Sequence, residues 1–179
     1  MKLKDLEFKK FITADRIEKK VASLAHQINA DYEERTPIFL PVLNGSFMFA
    51  SDLLKEITLS CRVSFVKISS YAGGTTSTGQ LKTLIGHDES LFGLDIIIVE
   101  DIVDSGLTLE KLMEDLKGRG AKSVEAIALL RKRVAREKDI QVKYVGFELE
   151  DEFILGYGLD YDGLGRNLKD IYKQVSAGE

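Results

Sequence analysis

Apolar residues fall into two rhythms along this chain, one at helical spacing and one in short runs. From about Ala14 to Tyr32 they stand at Ile17, Val21, Leu24, Ala25 and Ile28, a single helical stripe with Thr13 placed to cap it. Pro37 to Leu43 is a continuous apolar run and predicts a buried strand. After Asn44-Gly45-Ser46 the helical rhythm returns through Phe49, Leu53 and Leu54. Cys61 to Ser70 alternates as Val63, Phe65 and Ile68 would in a strand, and Gln80 to Ile85 reads as the return strand of that excursion. Between them, Tyr71 to Gly79 holds no large apolar residue past Tyr71, and its Gly, Ser and Thr content predicts a mobile loop. Ile96 to Val99 predicts another buried strand. Leu109, Leu112, Met113 and Leu116 predict a helix stopped near Gly118 or Gly120. Val124 to Leu130, Val142 to Phe147 and Ile171 to Val175 complete the strands.

Strands alternating with helices predict a parallel α/β sheet. Ligands of such sheets bind beyond the carboxyl ends of the strands. The segments at Asn44-Gly45, Glu100 to Thr108 and Arg131 to Arg136 each follow a strand, so they should meet at one edge although they are distant in sequence.

Composition narrows the class. With 179 residues the chain reads as one domain. A chain of that length can bury about 70% of its unfolded surface without staples. Cys61 is the single cysteine, which rules out a disulfide framework within the chain and suggests a small core residue. No run approaches the ~20 apolar residues of a membrane span. The start, MKLKDLEFKK, has no apolar signal region, so a cytoplasmic setting is the default expectation. A net charge of −4 argues against nucleic acid as the main partner. His26 and His87 are far apart and read as structural, not as ligands of a metal.

The most informative stretch is IIIVEDIVDSGLTL, Ile96 to Leu109. A buried strand ends in Glu100 and Asp101; the small-residue loop Asp104-Ser105-Gly106-Leu107-Thr108 then opens a helix. Such a loop turns backbone N–H groups and the positive end of a helix dipole towards one point, where a phosphate is the natural guest. Three carboxylates would repel a bare polyanion. They suit a phosphorylated sugar, whose hydroxyls, divalent cation and removable proton give each of them a partner. At these residues the chain resembles the phosphoribosyltransferases, whose signature for 5-phosphoribosyl-1-pyrophosphate (PRPP) has this acidic-acidic-x-x-D-[ST]-G-x-T form. The segments PVLNGSFMFASDLL, SSYAGGTTSTGQ, LRKR and YVGFELEDEFILGYGLDYDGLGRNL extend the resemblance from about Pro37 to Leu168, and make it specific to the hypoxanthine-guanine phosphoribosyltransferases.

The resemblance implies an α/β fold of the phosphoribosyltransferase type. That fold is a parallel sheet flanked by helices, with a small hood formed by the C-terminal segment, about 150–179, and N-terminal residues. It implies a single domain over 1–179, a Mg²⁺ cofactor, and a homodimer or homotetramer. It also implies transfer of the phosphoribosyl group from PRPP to hypoxanthine and guanine, giving IMP or GMP and pyrophosphate. By the same resemblance, Glu100, Asp101, Asp104, Ser105, Gly106, Leu107 and Thr108 hold the ribose phosphate, and Asp104 is the general base. Asn44, Gly45 and Arg166 meet pyrophosphate. Lys132, Phe153, Ile154 and Asp160 meet the purine, with Phe153 stacked on its face and Lys132 at its 6-oxygen. Glu100, Asp101 and Asp160 serve the metal. Ser70 and Tyr71 open a lid over the sugar, near residues 70–80.

Two departures stand out: Asn44 and Leu107 occupy positions where many members carry lysine. Read from its residues alone, Lys132 sits in a basic loop, Phe153 is a core residue, Asp160 makes an Asx turn, and Arg166 is a surface charge. Two other functions use the same fold. One is a nucleotide-sensing regulator that binds RNA or DNA, for which only the basic segment Arg131 to Lys138 speaks. The other is a phosphoribosyltransferase for xanthine or a pyrimidine.

Overall fold

The computed structural model describes residues 1–69, 82–83, 91–133 and 140–175. Its elements run β1 (Lys2–Leu3), β2 (Leu6–Ile12), α1 (Ala14–Asp31), β3 (Ile38–Leu43), α2 (Phe47–Glu56), β4 (Arg62–Val63), β5 (Val66–Ser69) and β6 (Lys82–Thr83). They continue with β7 (Asp95–Val103), α3 (Leu107–Gly118), β8 (Ser123–Lys132), β9 (Tyr144–Leu149), β10 (Ile154–Leu155) and β11 (Ile171–Gln174).

The larger sheet has the order β6-β5-β3-β7-β8-β9, with β4 also paired to β3. Its β3, β4, β5, β7, β8 and β9 pairings are parallel, and β6 returns antiparallel to β5. A parallel sheet must be covered on both faces. One face packs with the stripe of α1, namely Ile17, Val21, Leu24, Ala25 and Ile28, and with Phe49, Ala50 and Leu53 of α2. The other packs with Leu109, Leu112 and Leu116 of α3. Ile96 to Val99 are fully buried at the centre, which explains their unbroken β-branched run.

A second, antiparallel sheet has the order β1-β2-β11-β10 and forms the hood. It joins the two ends of the described chain, because β11 lies between β2 and β10. The N-terminal strands were invisible to the apolar pattern. Only Phe8 and Ile12 of β2 are buried, too few to set a rhythm.

Several local expectations need correcting. Val63 and Phe65 are exposed, while Val66 is buried. The stretch from Cys61 is two short strands, β4 and β5, so one alternating phase could not run through it. Cys61 is only partly buried against the core, and that burial raises its thiol pKa. Strand β7 does not stop at Val99 but runs through Glu100 and Asp101 to Val103, with Glu100 opposite Ala128. Lys132 ends strand β8, paired with Leu149, and does not sit in a loop. Residues 134–139 of the basic segment, His87, and Ser70 and Tyr71 of the expected lid lie outside the described residues.

Thr13 stands at the N-cap of α1 but makes no side-chain capping bond. The cap comes from the hood. Asp170 Oδ1 accepts the Ala14 N–H at 2.7 Å while Oδ2 pairs with Lys10 at 2.7 Å. These contacts, the Lys10 bond first, hold the Asp170 carboxyl below its ordinary value. A lowered folded-state pKa means that the contribution is intact above the unfolded value of about 3.9 and is lost as pH falls through the folded value. Asp170→Ala is expected to cost about 1–3 kcal/mol in urea unfolding at neutral pH. Asp170→Asn keeps an acceptor for Ala14, and should lose less stability than wild type as pH falls from 5 to 3.

Candidate active site

The site lies at the carboxyl ends of β3, β7 and β8, where four pieces of chain converge. The first is the end of β7. Glu100 is buried, and its carboxyl is held well above the ordinary range, first by loss of water and second by the charge of Asp101. Burial also raises Asp101. The Ile102 N–H, 2.9 Å from Asp101 Oδ1, and the charge of Arg166 pull it back.

The second piece is the loop into α3. Gly106 is the N-cap of α3 and has φ of +80°, a left-handed conformation that favours glycine. A Cβ there would overlap the Ile140 side chain, which closes the loop from behind. The Leu107 N–H lies 3.5 Å from Ser105 Oγ, and the first helical bond runs from the Glu110 N–H to the Gly106 carbonyl at 2.9 Å. The leading amides of such a helix have no acceptor within it. Leu107 itself is exposed.

The third piece follows β3. The Leu43–Asn44 peptide is cis. Ser46 is buried and its hydroxyl donates to the Val42 carbonyl at 2.7 Å, anchoring the turn. Between them, Gly45 lies against the Asp101 carboxylate so closely that a Cβ would overlap it. This contact brings the Asn44-Gly45 loop and the β7 carboxylates together.

The fourth piece comes from the hood. Gly158, with φ of +101°, rests on the Gly45 carbonyl with no room for a Cβ. Arg166 Nη1 donates to the Gly158 carbonyl at 2.7 Å, and the Gly158 N–H donates to the Arg166 carbonyl at 2.9 Å. The Arg166 guanidinium also meets Asp160 at 2.5 Å. Arg166 is therefore a half-buried, oriented cation and not a loose surface charge. Asp160 accepts the Gly163 N–H at 2.7 Å, so the turn role is real and coexists with the arginine pair.

Lys132 ties the pieces together. Its side chain is only 15% exposed, and Nζ lies 3.0 Å from Asp151 and 3.6 Å from Asp104. Burial pulls its pKa down, but the bond to Asp151 and the charge of Asp104 outweigh that and leave it raised. Two residues beyond Asp151, Phe153 is 42% exposed and is not a core side chain. Its ring rests on Phe8 at 6.1 Å and on Tyr161, edge to face, at 5.6 Å. An exposed ring braced by two others is a platform for a flat, apolar-faced ligand. Ile154 beside it is buried.

Sequence reasoning missed Tyr157, Gly158, Asp151 and Ile140. The Gly156-Tyr157-Gly158 triplet was the one visible signal, since paired glycines mark close backbone approach. Asp151 lies in an acidic run where nothing singles it out.

Among the described residues no three His, Cys, Asp or Glu side chains converge to hold a metal alone. The donor set fits a different arrangement. Mg²⁺ is commonly shared between one or two carboxylates and substrate phosphates. Glu100 and Asp101, consecutive near the end of β7 and both pushed up by burial, match that chemistry. Among the described residues, no helix is long and apolar enough to cross a membrane.

Comparison with known proteins agrees with this geometry. The family model described as a phosphoribosyl transferase domain matches residues 10–162. The hypoxanthine-guanine phosphoribosyltransferase of Bacillus subtilis (strain 168) is 42% identical over 167 residues, covering 93% of this chain and 92% of that one. The enzyme of the same name from Staphylococcus aureus (strain Mu50 / ATCC 700699) is 40% identical over 89% of each chain. A crystal structure of a hypoxanthine-guanine phosphoribosyltransferase from Bacillus anthracis, with HEPES in its active site, superposes with a TM-score of 0.86 at 38% identity, covering 96% of this chain and all of the other. By fold, by matched residues and by identity over nearly its whole length, this chain belongs to the hypoxanthine-guanine phosphoribosyltransferases.

Proposed function

We propose that this chain is a purine-salvage transferase. It moves the 5-phosphoribosyl group from PRPP to hypoxanthine, and to guanine, giving IMP or GMP and pyrophosphate. The observation that carries this reading is Lys132, whose ammonium sits between Asp104 of the phosphate loop and Asp151 beside the exposed Phe153. A cation suited to a purine 6-oxygen thus lies next to a carboxylate suited to take a proton from the same base.

In this mechanism the 5′-phosphate occupies the loop Asp104-Ser105-Gly106-Leu107-Thr108, against the amides that open α3. Glu100 and Asp101 hold the ribose hydroxyls. The amides of Asn44 and Gly45 and the guanidinium of Arg166 face the pyrophosphate. Asn44 supplies backbone only, where many members offer a lysine charge. Mg²⁺, held by Glu100 and Asp101 with Asp160 acting through water, would neutralise charge on the leaving group. The purine stacks on Phe153, with Ile154 along its edge. Lys132 donates to the 6-oxygen, and a 6-amino group there would place donor against donor.

The C1–O bond to pyrophosphate breaks with cationic character building on the sugar. N9 of the purine attacks from the opposite face, inverting the centre, and N7 gives its proton to Asp104. The Asp104 carboxylate also lies where it can stabilise the sugar cation. Ser70 and Tyr71, outside the described residues, are proposed to help keep water from that cation. The protein is further proposed to be a cytoplasmic homodimer or homotetramer of one-domain subunits. The exposed Phe47, Val63 and Phe65 are apolar surface consistent with a second copy.

The nucleic-acid regulator is disfavoured by charge pairing. Lys132 faces two carboxylates, and Arg133 faces Glu148 at 2.5 Å and Glu150 at 3.8 Å. These two described cations of the basic segment are already matched by acids of the chain. The deciding experiment is a spectrophotometric assay with Mg²⁺, PRPP and each of hypoxanthine, guanine, xanthine and adenine. Turnover of the 6-oxopurines without adenine is expected. Turnover of xanthine alone, or of none of the four, overturns the reading.

A further inference from the structure

The hood meets the α2 side of the site through a contact that the mechanism above does not use. Tyr157 is buried, and its hydroxyl donates to Asp52 Oδ2 of α2 at 2.6 Å. Burial first and Asp52 second push the phenol far up, so it remains a donor across the working pH range. Asp52 is held in turn by Lys55 at 2.6 Å. The backbone around Tyr157 is unusual. Gly156, Tyr157 and Gly158 have φ of +100°, +50° and +101°, and a tyrosine in the left-handed region needs its surroundings to hold it there. The Tyr157 N–H donates to the Leu168 carbonyl at 2.7 Å. The next residue, Gly158, is the one seated on the Gly45 carbonyl, and Gly45 is seated on Asp101. Rigid contact therefore runs from the strand after Phe153, through Tyr157 and Gly158, to the loop after β3.

We infer that Tyr157 is a positioning residue that couples the purine subsite to the pyrophosphate subsite, its hydroxyl bond to Asp52 holding Gly158 down on the Gly45 loop. The inference rests on the purine-salvage reading for the identity of the two ligands. Without the hydroxyl, the strained triplet can relax and Gly158 can withdraw from the Gly45 carbonyl. The loop amides then lose their fixed aim. A purine settling on Phe153 would no longer tighten the grip on pyrophosphate.

The test is calorimetric titration of the enzyme with Mg²⁺-pyrophosphate, with and without saturating hypoxanthine. In wild type hypoxanthine should tighten pyrophosphate binding by about tenfold, within the usual range for coupled sites, and Tyr157→Phe should cut that factor below about twofold. Tyr157→Phe should also raise KM for PRPP more than KM for hypoxanthine. Asp52→Asn keeps an acceptor and should retain the coupling. Asp52→Ala should mimic Tyr157→Phe, and the double variant should be no worse than either. Thermal unfolding followed by circular dichroism checks that each variant is folded, and Asp52→Ala carries the test if Tyr157→Phe does not fold. Unchanged coupling in a folded variant overturns the inference, as does a wild type that binds both ligands independently. A wild type that binds neither hypoxanthine nor pyrophosphate overturns the salvage reading itself.

Discussion

Asp104→Asn is expected to lower kcat by about 10²–10⁴-fold, the usual worth of a positioned general base, while leaving the affinity for IMP largely intact. The structure makes the experiment clean. The Asp104 side chain is 62% exposed, and its pairing with Lys132 is at 3.6 Å. With Asp104 largely exposed and the distance long, the pair contributes on the order of 1 kcal/mol, so the variant should fold as wild type does. Asn keeps the shape and the acceptor oxygen but cannot take the N7 proton, nor can it lend negative charge to the sugar cation. The loss should fall on kcat and kcat/KM together, as for an interaction made only in the transition state. Steady-state kinetics paired with calorimetry of IMP binding checks this. Full turnover by Asp104→Asn would remove the residue from the base role.

Lys132→Ala should reduce kcat/KM for hypoxanthine by about 10–150-fold, the worth of a hydrogen bond from a charged donor of about 1.5–3 kcal/mol. Its donor is set by the end of strand β8 and by two acidic partners, so the truncation removes an oriented group and leaves Asp104 and Asp151 facing each other without a cation. The discrimination between hypoxanthine and adenine should narrow, because the penalty against a 6-amino group disappears with the donor. KM for PRPP should move less than KM for the purine. An unchanged ratio of hypoxanthine to adenine use would count against Lys132 as the selector.

The difference between what was legible in the chain and what was not has a physical pattern. Ile96 to Val99 and the α1 stripe were readable because full burial on both sides of a sheet, or on one side of a helix, leaves no freedom in residue type. The phosphate loop was readable because Gly106 must adopt a positive φ directly at a helix start. The phase of Val63, Phe65 and Val66 was not readable, since a break between two short strands carries no apolar mark. Neither was the true partner of the Ala14 N–H. A cap drawn from Asp170 depends on the hood closing over α1, and Thr13 beside it is the locally favoured choice. At the site, the resemblance supplied residue types and roles. The packing of Gly158 on the Gly45 carbonyl is backbone against backbone, and that of Gly45 on Asp101 is backbone against a carboxylate, and only three dimensions display either.

Strand β11 lies between β2 and β10 in the hood, so Phe8 near the start of the described chain braces Phe153 only once residues 171–174 are in place. A nascent chain emerging from the ribosome could therefore assemble the central sheet and its anion loop well before it had any seat for a nucleobase. Competence to hold the 5′-phosphate should precede competence to hold the base during synthesis, and the docking of β11 should be the event that completes the purine seat.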